Sequence, residues 1–225
     1  MFTKSIRVFA LVALVAFGLQ QAQAQTDEKK FEVGAQGTLL RLPAITFSGT
    51  AGSATFSDDH NNNWGFGGRF GYNFSDNIGV EAEGNFFPQD RAEDGGQKFQ
   101  GLFGAKVGQR FDKGGLFVKA RPGFVRMSRG EYQLQGACVA IFPPPIACFQ
   151  ANATTNFAFD LGGVGEVYPT KNTIIRFDVG DTMIHFGAQR LVAARNPSTG
   201  ELVVVPRAAE TQHNLQASVG VGFRF

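Results

Sequence analysis

From residue 30 onward the chain alternates apolar with small or polar residues, in separate runs of roughly 10–15 residues. Such alternation places successive side chains on opposite faces of a strand. Eight runs satisfy it: KFEVGAQGTLLRL (30–42), WGFGGRFGYNF (64–74), NIGVEAEGNFF (77–87), KFQGLFGAKVGQRF (98–111), LFVKARPGFVRM (116–127), NFAFDLGGVGEVY (156–168), TIIRFDVGDTMIHF (173–186) and TQHNLQASVGVGFRF (211–225). Each is long enough to cross a bilayer as a tilted strand. The connections alternate in length. Short turns rich in turn-forming residues fall at 75–77, 112–115 and 169–172, and long connections at about 43–63, 88–97, 128–155 and 187–210. Small turns on one side and large loops on the other are the rhythm of a membrane barrel. The pattern therefore predicts an all-β fold, an eight-stranded antiparallel up-and-down transmembrane β-barrel.

The two faces differ in chemistry. One carries Phe31, Val33, Phe70, Tyr72, Phe103, Val107, Phe177 and Val179. The other carries Glu32, Arg69, Glu81, Glu83, Lys106, Arg110, Lys119, Arg121, Asp160, Glu166, Arg176, Asp178 and Arg224. A soluble barrel would turn the apolar face inward. Loop rhythm and Phe-rich strand ends favour the opposite sense, with apolar residues toward lipid and charges in a narrow lumen. Such a lumen needs internal compensation, because buried charges must be paired. Folding about 75–77 sets Arg69 opposite Glu83, and folding about 169–172 sets Glu166 opposite Arg176. Closing the barrel brings Glu32 near Arg224. Basic residues gather on the fourth and fifth strands, between acidic third and sixth strands.

The N-terminus changes the context. Residues 1–24 combine Lys4 and Arg7, an apolar run from Val8 to Phe17, and the small-x-small site Ala22-Gln23-Ala24. This reads as a secretory signal peptide cleaved after Ala24, leaving residues 25–225 as one barrel domain. Loss of Lys4 and Arg7 takes the formal charge from +2 to 0. A neutral chain without a basic cluster argues against nucleic acid as a partner. The 24 Phe and 29 Gly suit strands with aromatics on one side and a crowded interior on the other.

Taken together, signal, strand count, loop rhythm and final strand resemble the OmpA/OmpX-type eight-stranded outer-membrane barrels of Gram-negative bacteria. Val219, Val221, Phe223 and Phe225 carry the most specific part of the likeness. The resemblance implies an outer-membrane location, with lipid and lipopolysaccharide around the barrel. It also implies that the last strand is an assembly signal, met by periplasmic chaperones and read by the barrel-assembly machinery through strand pairing. Two-domain relatives add a peptidoglycan-binding domain after the barrel; the sequence ends at Phe225, so no such tether is expected within it.

Candidate chemistry is sparse. Cys138 and Cys148 flank Pro143-Pro144-Pro145 in the third long connection and read as a disulfide in an exported chain. The fourth connection reads as a continued hairpin turning at 196–200. Asp58, Asp59 and His60 belong to a polar first loop. His185 and His213 face outward near the external ends of adjacent strands, with no serine or acid recognised beside them. No phosphate-binding loop, nucleophile elbow or zinc spacing occurs, so no cofactor is expected. The expectation is a non-enzymatic barrel with a charge-filled lumen, contributing to envelope integrity and presenting external binding or adhesion loops to a ligand. A narrow or gated porin-like channel is the first alternative. A lipid-modifying enzyme using His185 and His213 is the second.

Overall fold

Among the described residues, twelve strands follow in chain order: β1 (Phe31–Leu42), β2 (Thr46–Phe47), β3 (Phe56–Ser57), β4 (Asn61–Asn73), β5 (Ile78–Phe87), β6 (Lys98–Phe111), β7 (Gly114–Leu134), β8 (Phe149–Val167), β9 (Thr173–Phe186), β10 (Arg190–Arg195), β11 (Leu202–Arg207) and β12 (Glu210–Arg224). The computed structural model describes residues 30–42, 46–47, 56–57, 61–134, 148–187, 190–195 and 202–225. The expected signal peptide, Asp58, Asp59, His60, Cys138, Pro143–Pro145 and the turn at 196–200 lie outside the described residues.

Eight strands close into one antiparallel barrel in the circular order β1-β12-β9-β8-β7-β6-β5-β4. The seam joins the first and last barrel strands, with Val33 opposite Phe223 and Leu39 opposite Ala217. Beyond β12, Phe225 exchanges two backbone hydrogen bonds with Phe31, at 3.0 and 2.9 Å. A closed ring leaves no unpaired edge inside the bilayer, which is the condition for a sheet to cross it. Two further pairs, β2–β3 and β10–β11, stand outside the ring.

Strands β6 and β9 occupy the predicted residues 98–111 and 173–186. Strands β7 and β8 do not end where alternation ends. They run 21 and 19 residues and take up much of the connection expected at 128–155. Their pairing shifts register between Met127 and Glu131, then resumes from Glu131 opposite Asn152 to Leu134 opposite Phe149. About 9–11 residues suffice to cross a bilayer, so this hairpin projects well beyond it. There the outer face meets water instead of lipid while Gly130, Tyr132 and Thr154 stay buried on the other face, and the period-two hydrophobic signal fades.

The fourth long connection is a hairpin, as its sequence suggests, with Arg190 opposite Arg207 and Arg195 opposite Leu202. It is a separate two-stranded sheet and does not continue β9 and β12. Strand β10 packs against β7 and against a 3₁₀ turn at Ala92–Asp94. That turn joins β5 to β6, on the wall opposite β9, so the hairpin leans across the external mouth.

Side-chain burial follows strand parity. Trp64, Phe103 and Leu116 are 61–67% exposed on the outer wall, whereas Glu81, Lys119 and Arg176 are at most 2% exposed inside. The inner face is not purely polar, contrary to the simplest reading of the alternation. Leu40, Leu42, Phe87, Val125, Met127, Ala158, Ile184 and Phe186 form an apolar cluster at the external end of the lumen. Close strand approach needs glycine at points on this inner face: a Cβ at Gly123 would overlap the Gly101 carbonyl oxygen.

Candidate functional site

The lumen is filled by three layers of side chains, built by inward-facing positions that recur every second residue. At the end that carries the short turns, Glu32 accepts from Lys106 Nζ at 2.7 Å, Arg110 Nη2 at 2.9 Å and Asn73 Nδ2 at 2.9 Å. Lys106 also donates to Glu166 at 3.1 Å. Tyr168, in the turn after β8, donates to Glu166 at 2.8 Å and accepts from Arg110 Nε at 2.9 Å. Burial, then the Glu166 carboxylate beside it, pushes the Tyr168 phenol above its ordinary range and keeps it a donor.

The middle layer is the densest. Arg121 Nη1 donates to Glu81 at 2.8 Å and to Glu83 at 2.6 Å. Arg121 Nε and Nη2 both donate to Asp160, at 2.9 and 2.7 Å. Arg176 holds Glu81 through Nη1 and Nη2, at 2.7 and 2.8 Å. It holds Asp178 through Nε and Nη2, at 2.6 and 3.1 Å. Lys119 bridges Asp160 and Asp178 at 3.1 and 3.0 Å. Charge-assisted, bidentate contacts of this kind are the strong ones. A buried ion pair seldom adds net stability over apolar packing, but losing one partner is severe.

Above the charges lies a layer of amides and hydroxyls. Asn85 donates to Glu83 at 2.7 Å and to Gln100 at 2.9 Å. Gln100 and Thr182 donate to Gln216, each at 2.8 Å. Thr38 donates to Asn85 at 3.2 Å, and its hydroxyl lies 3.2 Å from that of Ser218. The apolar cluster caps this layer. At the external rim, fully buried Lys98 reaches Asp94 at 3.1 Å, Asn63 at 3.0 Å and the Gly96 carbonyl at 2.9 Å, tying the 88–97 connection to the wall.

The backbone registers match those read from the sequence: Arg69 faces Glu83, Glu166 faces Arg176 and Glu32 faces Arg224. The side chains pair differently. Glu83 is taken by Arg121 and Asn85, and Arg69 Nε and Nη2 find no protein acceptor. Glu32 is taken by Lys106 and Arg110, while the Arg224 guanidinium stacks 4.6 Å above the Tyr168 ring. Glu166 and Arg176 do approach, at 3.7 Å. Long guanidinium arms select partners across the lumen, and register alone cannot rank these. Asn85, Gln100, Thr182 and Gln216, and Tyr168 at the end of the predicted strand 156–168, share the inward parity of the charged residues but carry no charge to single them out in the sequence.

On the outer wall, His185 and His213 face outward as expected, and His185 Nδ1 lies 3.0 Å from the Thr211 hydroxyl. The expected lack of an acid is corrected: Asp181 Oδ2 lies 2.5 Å from His213 Nδ1. Asp181 is the diagonal neighbour of His213, which itself pairs with Met183. Among the described residues, no group of three metal-ligating side chains occurs. Val219, Val221, Phe223 and Phe225 all point outward and are 49–59% exposed. Cys148 is buried beside the start of β8; its expected partner Cys138 lies outside the described residues.

A closed antiparallel ring with an apolar outer wall and a charged interior defines a transmembrane β-barrel. Residues 9–225 match the family described as outer membrane protein beta-barrel domain, and the chain belongs to that family. No curated protein matches the sequence. Among solved structures it is similar to the N-terminal β-barrel domain of Pseudomonas aeruginosa OprF, at 12% identity over 88% of this chain and 98% of that one, with a TM-score of 0.43. It is similar to Neisserial surface protein A at 12% identity over 86% and 95% of the two chains, with a TM-score of 0.42. It is also similar to Ail, the attachment invasion locus protein of Yersinia pestis, at 11% identity over 87% and 99%, with a TM-score of 0.42.

Proposed function

We propose that this chain is a sealed, non-enzymatic barrel of the outer membrane. In this reading it carries no solute, adds to envelope integrity, and offers the projecting β7–β8 and β10–β11 hairpins to external ligands. One observation carries the reading: Glu81 and Arg176, on opposite walls, meet in the middle of the lumen. The apolar cap and the β10–β11 hairpin close the same path further out. Export through residues 1–24, recognition of the last strand by the assembly machinery, and contact of the outer wall with lipid and lipopolysaccharide belong to the same proposal.

Cells lacking the protein should become more sensitive to a bulky antibiotic such as vancomycin, and the full chain should restore resistance. Unchanged sensitivity together with slower uptake of small hydrophilic solutes would contradict it.

A second reading, hydrolysis of an outer-leaflet lipid, draws on the Asp181–His213 contact. An acid on Nδ1 fixes the tautomer and leaves Nε2 available as a base. It ranks second because, among the described residues, no hydroxyl or thiol joins that pair by a hydrogen bond.

A further inference from the structure

Lys98 is set apart from the other buried lysines. Lys106 and Lys119 each lie between two carboxylates. Lys98 faces one, Asp94 at 3.1 Å, and its Nζ also donates to the side-chain carbonyl of Asn63 at 3.0 Å. The Gly96 carbonyl, at 2.9 Å, is the third acceptor. Lys98 and Asn63 are 0% exposed and Asp94 is 7% exposed. A lysine amine, a carboxamide and a carboxyl group thus meet away from water.

The surroundings are apolar. In register, Lys98 stands between Phe87 of β5 and Met127 of β7, and Asn63 stands opposite Leu40 of β1. Phe87, Met127 and Leu40 belong to the cap at the external end of the lumen. From β6 the Lys98 side chain spans β5 to reach β4. An ammonium and a carboxylate in such a place lose the hydration that favours their charged forms. Passing a proton from Nζ to Asp94 relieves that cost and leaves a neutral amine, the form of lysine that is a nucleophile. The carbonyl carbon it would attack lies one bond beyond the oxygen it already touches. Groups held in contact by a rigid fold react as though at very high concentration.

We infer that Lys98 and Asn63 join covalently, Nζ to Cγ, in an isopeptide bond made by the folded barrel itself, with Asp94 as the proton carrier. Asp94 takes a proton from Nζ, and the neutral amine attacks Asn63 Cγ. The Cγ–Nδ2 bond then breaks. Two of the three Nζ protons pass by way of Asp94 to the departing nitrogen, which leaves as ammonium, and Asp94 ends as the carboxylate it began as. One C–N bond forms and one breaks, with no oxidant, reductant or co-reactant. The link closes residues 63–98 into a covalent loop at the external mouth, and such a loop restricts the unfolded chain as a disulfide does. It holds whether or not the barrel conducts.

The test is mass mapping of the full chain, purified from outer membranes, reduced and cut with trypsin. The account expects peptide 42–69 joined to peptide 92–106, lighter than their sum by one ammonia, with no cleavage after Lys98. In Lys98→Arg and in Asp94→Asn the peptides from the two segments should be separate. Chain recovered from inclusion bodies without refolding should also give separate peptides, because the bond needs the fold. Separate peptides from the assembled wild-type barrel, with cleavage after Lys98, overturn the inference. Loss of water within 92–106 would put the bond on Asp94 and overturn the assignment to Asn63. A link that persists in Asp94→Asn overturns the role given to Asp94. If neither variant assembles, the wild-type map still decides.

Discussion

Glu81 of β5 and Arg176 of β9 stand on opposite walls of the barrel and are joined by two hydrogen bonds of 2.7 and 2.8 Å. Both side chains are at most 1% exposed. The pair spans the lumen and makes the interior a single packed network. Glu81→Leu would leave Arg176 and Arg121 each short of a carboxylate. The expected loss is about 3–5 kcal/mol, read as a lower temperature for the gel-mobility change that marks unfolding of a heat-modifiable barrel. Glu81→Leu with Arg176→Leu should cost less than the sum of the single changes, because the two positions are coupled. Strict additivity would show that the pair does not act as one unit.

The seam makes a separate prediction. Phe225 pairs with Phe31 through two backbone bonds, and their rings stack at 5.9 Å with planes 24° apart. Replacing Phe225 by Ala removes a contact worth about 0.5–1.5 kcal/mol beyond its buried area. Deleting it also removes the last backbone pair of the seam. The assembled fraction, measured by heat-modifiable mobility in outer-membrane preparations, should fall more than the unfolding temperature of the barrels that do assemble. Full assembly of the deleted chain would contradict a role in recognition.

Cys138 and Cys148 are expected to be joined. Alkylation of the denatured chain without reductant should add no mass, and after reduction should add two labels. In the loop-entropy account the bond stabilises the folded connection by about 2–3 kcal/mol. Two labels without reductant would exclude the bridge.

Among the described residues, Asp181 and His213 offer the one arrangement on the outer wall that resembles a general base. The non-enzymatic reading predicts identical lipid A mass spectra from cells with and without the protein. A shifted lipid A mass that disappears in His213→Ala would reverse that reading and assign the pair a catalytic role.

Most of the barrel is legible in the sequence because lipid and lumen impose opposite chemistry on alternate residues. That contrast locates β6 and β9 to the residue and places Glu32, Arg121 and Asp178 inside. It fails where the contrast vanishes. Ser128 to Leu134 and Phe149 to Thr155 project past the membrane, so no alternation announces them as strand. It also fails for partner choice: register puts Arg69 against Glu83, but Arg121, two strands from Glu83 in the ring, wins the carboxylate. The contact of Asp181 with His213 is not legible from register, because the two are diagonal and Met183 stands directly opposite His213. Inward-facing Leu40, Phe87 and Ile184 read as exceptions in sequence, yet the fold gathers them into one cap.

The sealed lumen is the central claim, and single-channel recording of the purified barrel in a planar bilayer tests it most directly. The account predicts no resolved openings from the wild-type protein across the voltage range the bilayer tolerates. It predicts openings once both Arg121 and Arg176 are replaced by Ala. A stable, open conductance from the wild-type barrel would contradict it.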